Sequence, residues 1–121
     1  MADRIMFIGW ATTVRGREER ALEDFNETMG LYGRLQQEGR IEKFDVALLD
    51  PSGGGLDGYI VLHGSAEQLN ALREDDEWRR NMIDAQLIVE DLRICLGATN
   101  SGVAEEMARY QEAIAKVPQS A

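Results

Sequence analysis

Apolar and polar positions along the chain follow two repeats, and their alternation divides the sequence into strands and helices. Side chains alternate between faces every two residues in a strand and return to one face every 3.6 residues in a helix. Four segments are predicted as strands on this basis: residues 4–12, 41–49, 57–63 and 87–96. Helical spacing is found in three stretches: residues 17–38, a broken stretch that begins at Ser65, and residues 103–117.

The helical stretches have apolar stripes and recognisable ends. The first helix is predicted to bury residues three and four positions apart: Leu22, Phe25, Met29, Tyr32 and Leu35. Gly39 is suited to end it. Ser65 and Gln68 are typical of a helix start, and the acidic residues 74–77 predict a break before a second segment that contains Trp78 and Met82.

Alternation within the strands divides their residues between two faces of one sheet. One face is predicted to lie under the helices: Phe44, Val46, Leu48, Ile60, Leu62, Leu92, Ile94 and Leu96. The opposite face is mixed. It holds the apolar residues Ile41, Ala47, Leu49, Tyr59, Val61, Val89 and Cys95, together with Lys43, Asp45, His63, Asp91 and Arg93.

The order of the elements is strand, helix, strand, strand, helix, strand, with one more helix at the end. This order predicts an α+β fold of the ferredoxin-like βαββαβ type, with a four-stranded antiparallel sheet. Right-handed connections place both main helices on the same face of that sheet. We expect a single domain over residues 1–121, with a core at about 4–96 and an extra C-terminal helix at about 103–117.

The mixed face needs a covering layer, because a large apolar patch is rarely left in water. A second copy of the chain would bury its apolar residues and leave its polar residues lining a shared cavity. The sequence therefore predicts a homodimer with its two sheets face to face across a two-fold axis, and the shared cavity has room for a small-molecule ligand.

The element order and the mixed face resemble the dimeric α+β barrel superfamily, which includes the small monooxygenases of antibiotic biosynthesis and the YCII-like proteins. The segment DGYIVLHG at residues 57–64, followed by a helix with Leu69 and Leu72, is similar to the third-strand region of YCII-like chains. The resemblance implies a catalytic pair of His and Asp, and His63 matches the histidine. The aspartate is not fixed by any motif.

The candidate site is built around His63, because histidine is the side chain that ordinarily titrates near neutral pH. Asp45 on the neighbouring strand is the nearest acidic partner on the same face, and Asp91 is the alternative. Tyr59 shares this face and would donate a hydrogen bond to a ligand, or simply pack across strands. Arg93, with Asp91, would orient a ligand carboxylate or form a plain ion pair.

Two kinds of function fit these residues. The first is a cofactor-free isomerase or monooxygenase-like enzyme with His63 as the base. The second is a non-catalytic ligand-binding or regulatory module acting in trans, since ACT-type domains share the element order and bind amino acids at dimer interfaces. The sequence does not decide whether the protein is an enzyme.

Composition narrows the remaining classes. The 121 residues carry a formal net charge of −9, which argues against a nucleic-acid partner. One histidine and one cysteine lack the spacing of a metal site, so we expect no metal and no cofactor. Cys95 is predicted to be a buried structural thiol. No apolar run is long enough to cross a membrane, so a cytoplasmic protein without membrane contact is expected.

Overall fold

The computed structural model describes residues 2–120, which form four strands and four helices. Within that part of the chain the elements are β1 (Arg4–Trp10), α1 (Glu18–Gln37), β2 (Lys43–Leu48), β3 (Gly58–Gly64), α2 (Ala66–Arg73), α3 (Asp76–Gln86), β4 (Arg93–Ala98) and α4 (Ser101–Ala115). None of these helices is both long and apolar enough to span a bilayer.

The strands form an antiparallel sheet in the order β2-β3-β1-β4. The central strand β1 places Met6 opposite Leu62 of β3 and Leu96 of β4. Helices α1, α2 and α3 pack on the face that carries Met6 and Leu62. The predicted ferredoxin-like fold with its additional C-terminal helix is confirmed.

The core lies between the two central strands and the helices. Met6 and Leu62 are fully buried, and Leu35 of α1 and Leu72 of α2 close over them. Tyr32 and Trp78 join α1 to α3 inside this core, because the Trp78 indole Nε1 donates a hydrogen bond to the Tyr32 hydroxyl at 3.2 Å. Burial raises the pKa of the Tyr32 phenol, which therefore stays protonated.

Helix α1 is turned by roughly one residue position from the predicted orientation. Its buried residues are Asp24, Thr28, Leu31, Tyr32 and Leu35. Leu22 was expected inside but is 68% exposed. A polar contact with α3 fixes this rotation, since Asn81 Nδ2 donates to Thr28 Oγ1 at 2.9 Å in a buried position. The apolar stripe alone did not reveal that polar side chains occupy part of the inner face.

The predicted fourth strand over residues 87–96 is wrong at its start. β4 begins only at Arg93, because Asp91 has a left-handed backbone conformation with φ of 53° that interrupts the extension. Residues 88–90, before this bend, instead pair with residues 11–14, which follow β1. Ala11 N donates to Glu90 O and Val14 N donates to Ile88 O, both at 2.8 Å. Val89 consequently forms an isolated bridge with Thr13.

Two further expectations about strand faces are corrected. Ile41 precedes β2 and is buried in the core, whereas the alternation assigned it to the uncovered face. On the helix-covered face, the residues of the edge strands keep substantial exposure: Val46, Leu48, Ile94 and Leu96. The side chains of the two central strands on that face, such as Ile8 and Ile60, are buried. The helices therefore cover the centre of the sheet better than its edges.

The helical region after β3 is divided by a cap. Ser65 begins α2 with a capping box, in which its hydroxyl accepts from Gln68 N at 3.1 Å. Asp75 begins α3 by accepting from Trp78 N at 3.0 Å, and it also pairs with Arg40 at 2.8 Å. The acidic run predicted to break the helix does so through this carboxylate.

Helix α4 rests lightly on the rest of the chain. Gly102 is its buried residue, and a larger side chain there would overlap the Asp3 carbonyl oxygen. Its apolar stripe is exposed along its whole length: Val103, Met107, Tyr110 and Ile114, with Val117 just beyond the helix. The chain thus leaves both a helix stripe and one sheet face without a covering layer.

The rotation of α1 predicts different costs for two leucine truncations. Leu35→Ala should lower the free energy of unfolding by about 2–5 kcal/mol, because it opens a cavity in a fully buried site. Leu22→Ala is the matched control and should change it by less than about 0.5 kcal/mol. Urea denaturation measures both values, and equal losses would show that α1 has the orientation expected from the sequence.

Candidate functional site

The uncovered sheet face brings most of the predicted site residues together. Strand pairing places alternate residues of all four strands on this face: Ile5, Phe7, Lys43, Asp45, Ala47, Tyr59, Val61, His63, Arg93 and Cys95. No member of this set is buried in the single chain. Hereafter this set is called the open face.

His63 and Asp45 are in direct contact on the open face. His63 Nε2 lies 2.9 Å from Asp45 Oδ2, although the two residues are on neighbouring strands and 18 positions apart in sequence. In the register His63 stands opposite Lys43, so Asp45 reaches it diagonally across the β2–β3 pair. The imidazole is largely shielded, with 15% side-chain exposure, while the carboxylate is 59% exposed.

This contact gives the histidine a defined orientation. When Nε2 carries the proton and donates to the carboxylate, Nδ1 keeps a free lone pair. Nδ1 can then accept a hydrogen bond from a ligand, while the carboxylate holds the ring in place. The pair thus has the geometry of a general base with its orienting acid.

Tyr59 lies on the same face but away from this pair. It stands four residues before His63 on β3, a separation of about 13 Å along the strand, and Val61 lies between them. Its ring stacks on Phe7 with the ring centroids 5.4 Å apart and an angle of 28° between the planes. Tyr59 therefore belongs to the aromatic part of the open face and has no contact with the His63–Asp45 pair.

Asp91 and Arg93 do not form a pair. Asp91 lies in the bend before β4 and is exposed. The Arg93 guanidinium instead donates to the Gly55 carbonyl oxygen at 2.7 Å, which fastens the loop between β2 and β3 to the edge of β4. Asp45 is therefore the acidic residue in contact with His63, and Asp91 is not.

Cys95 is exposed, contrary to the expectation of a buried thiol. It lies on the open face, opposite Phe7 of the central strand. Flanking apolar residues suggested burial, but Ile94 and Leu96 point to the other side of an edge strand. No other part of the described chain covers the thiol.

The sequence analysis missed a buried acidic group on the opposite side of the sheet. Asp24 in α1 is 5% exposed, and its Oδ1 has no hydrogen-bond partner among the described residues. The carboxyl groups of Glu27 and Asp84 are close enough for one oxygen of each of the three to lie within 4.8 Å of the others. Arg20 offsets part of this charge by bonding Glu27 at 3.3 Å and lying 3.8 Å from Asp84.

Burial is the main reason why the pKa of Asp24 is raised to about 6, and the Asp84 carboxylate raises it further. A sequence signal for this group did exist. Asp24, Thr28, Leu31 and Leu35 fall at steps of four, three and four, so Asp24 shares a helix face with two core leucines.

Comparison with known proteins supports the fold and leaves the function open. No protein-family model matches the sequence, and no curated protein matches it. A similar solved structure is a dimeric protein of unknown function with a ferredoxin-like fold from Bacteroides fragilis NCTC 9343. The TM-score is 0.59 at 12% identity, and the match covers 79% of this chain and 96% of the other. At that identity the likeness establishes the shared fold, while the relationship to YCII-like proteins stays a prediction.

The raised pKa of Asp24 predicts how stability depends on pH. The folded protein binds a proton at Asp24 more tightly than the unfolded chain does, so this group makes stability fall as pH rises from about 4 to about 6. Asp24→Asn should remove this component and leave the variant more stable than the wild type at pH 7, by at most about 3 kcal/mol. Urea denaturation at pH 4, 5, 6 and 7 measures the effect.

Asp50→Asn, in an exposed loop, is the control and should keep the wild-type pH profile. An Asp24→Asn variant that is less stable than the wild type at pH 7 would contradict a buried, unpartnered carboxylate.

Proposed function

We propose that this protein is a homodimer in which the open faces of two chains pack together and enclose a binding site for a small organic molecule. The observation that carries the proposal is the composition of the open face. Apolar side chains such as Ile5 and Val61 lie beside the His63–Asp45 pair, and no residue of the open face is fully buried within the described chain.

Packing two open faces together would remove apolar surface from water. Phe7 and Val61 lie opposite each other on the two central strands, where a partner sheet would cover them. Charged groups lie toward the edge strands, with Lys43 and Asp45 on β2 and Arg93 on β4. The two signs of charge allow pairing across a two-fold axis, and the dimeric state of the Bacteroides fragilis protein is consistent with this assembly.

Helix α4 adds a second surface for the same partner. Its exposed stripe includes Met107, Tyr110 and Ile114, and the helix follows directly after the edge strand β4. A second chain that covers the open face would meet this stripe at the edge of the sheet, so one assembly accounts for both uncovered surfaces.

The proposed chemistry is proton transfer without a cofactor. His63 takes a proton from an acidic carbon or hydroxyl of the substrate at Nδ1, while Asp45 holds the ring and stabilises its positive charge. Returning the proton to a different atom of the substrate completes an isomerisation. We include in this proposal the resemblance to YCII-like proteins and antibiotic-biosynthesis monooxygenases. If the protein is a monooxygenase, molecular oxygen is its co-substrate.

The dimer predicts that one charge on the open face will separate the subunits. Val61→Glu places a carboxylate of each chain in the apolar middle of the interface, so the variant should sediment as a monomer at concentrations where the wild type is a dimer. Analytical ultracentrifugation measures the mass, and circular dichroism checks that the fold survives.

Ile83→Glu is the matched control, because Ile83 is a comparably apolar residue that is 57% exposed on α3. It should leave the dimer unchanged. A monomeric wild type, or a dimer lost with Ile83→Glu and kept with Val61→Glu, would contradict the proposed interface.

The His63–Asp45 pair predicts a specific loss of activity. Native mass spectrometry of the protein should show two chains with an added small-molecule mass. That molecule is then incubated with the protein in heavy water. Wild-type protein should catalyse exchange of the molecule's acidic hydrogen for deuterium, and His63→Ala should slow the exchange about 10²–10⁴-fold. Asp45→Asn should slow it to an intermediate rate, because the ring loses its orienting carboxylate.

The outcomes separate the two classes of function. Bound molecule and undiminished exchange in His63→Ala would rule out the enzyme and leave a non-catalytic binding or regulatory module. A dimer that carries no added mass would count against the enclosed ligand site itself.

A further inference from the structure

A cavity of about 380 Å³ lies on the helix side of the sheet, away from His63 and the open face. Ile8 and Ile60 of the central strands form its floor, and side chains of α1, α3 and the segment before β4 form its walls. Leu22 and Leu48, each 68% exposed, stand at its rim. It is more than twice the size of a cavity of about 150 Å³ that holds benzene, and it is within the range of small-molecule sites.

The walls are apolar except for two threonines and two acidic residues. Among the described residues that line the cavity, the charged ones are Glu18 and Asp24, and none is basic. Two aromatic rings, Trp10 and Phe25, contribute to the wall with their centroids 6.4 Å apart in an edge-to-face arrangement. Aromatic faces and carboxylates both attract a positively charged group.

Asp24 is the wall residue that the folded chain leaves incomplete. It lines the cavity and is 5% exposed, and its solvent-inaccessible Oδ1 has no hydrogen-bond partner among the described residues. The neighbouring Asn81, which does not line the cavity, has a similar unsatisfied oxygen. Its Nδ2 donates to Thr28, while its Oδ1 has no partner among the described residues. Buried acceptors without donors lower the stability of a protein unless something supplies the missing donor.

We propose that this cavity binds a small apolar amine, whose ammonium group donates to the Asp24 carboxylate while its hydrocarbon part fills the space between Ile8, Ile60 and the aromatic wall. A cation is favoured over a neutral donor because both charged residues of the wall are acidic. An organic anion is excluded by the same charges. The site is independent of the proposed dimer and of His63.

The probe for this test is 1-naphthylmethylamine, with 1-naphthoic acid as the matched anion. Isoleucine methyl groups are labelled for NMR, since Ile8, Ile60 and Ile88 line the cavity and Ile5 lies on the open face. At pH 7.5 the amine should shift the methyl resonances of Ile8, Ile60 and Ile88 and leave that of Ile5 unchanged. The acid should shift none of them.

Asp24→Asn should weaken binding of the amine at least about tenfold, because a charge-assisted hydrogen bond is replaced by a neutral contact. Asp50→Asn removes the same charge from an exposed loop and should bind like the wild type. Binding should also weaken below about pH 6 as the Asp24 carboxylate takes up a proton; Arg20 and Glu27 on α1 and Asp84 on α3 are the charged groups that influence it.

Three results would overturn the proposal. Equal binding of the amine and the acid would show that the cavity is apolar and does not distinguish a cation from an anion. Unchanged affinity in Asp24→Asn would show that the carboxylate is not the anchor. A shift of the Ile5 methyl resonance without shifts at Ile8, Ile60 and Ile88 would place the amine on the open face instead.

Discussion

A four-stranded sheet has two faces, and in this chain all the main helices lie on one of them. That asymmetry follows from the handedness of the two strand–helix–strand connections, which turn the same way and so place α1 and the α2–α3 pair on the same side. Two features of the molecule follow from this one-sided arrangement of the helices. The core forms where the helices meet the central strands, and the opposite face keeps its apolar side chains half exposed.

The helix layer also fails to match the width of the sheet. Its inner surface is centred on β1 and β3, so Met6 and Leu62 are fully buried while Leu48 and Leu96 at the edges are exposed. The cavity opens where α1 and α3 leave Leu48 uncovered, and Asp24 lies in its wall. Because the helix layer is narrower than the sheet, it leaves a cavity at the edge. The same arrangement keeps water away from Asp24, which raises the pKa of its carboxyl group.

The sequence predicted the topology well because topology depends on the order and the periodicity of long elements. Strand alternation also placed His63 and Asp45 on one face of adjacent strands, but it left Asp91 as an alternative partner, because the contact depends on the strand register. The failures came where a single residue overrides a pattern. Asp91 adopts a left-handed conformation that hydrophobic periodicity does not predict. The buried contact of Thr28 with Asn81 rotates α1, so that its apolar stripe is not centred on the core. Asp24 was overlooked because an acidic residue on a buried face contradicts the rule used to find that face.

The position of β1 has a consequence for how the chain folds. This strand is the first to be synthesised, yet it is central, and Arg4 pairs with Ala98, which follows ninety-four positions later. Such long-range pairing slows folding, since a large loop must close before the contact forms. During synthesis β1 can join β3 early, but its other edge stays unpaired until β4 has left the ribosome. The nascent chain is therefore exposed to wrong strand pairing at that edge until β4 emerges.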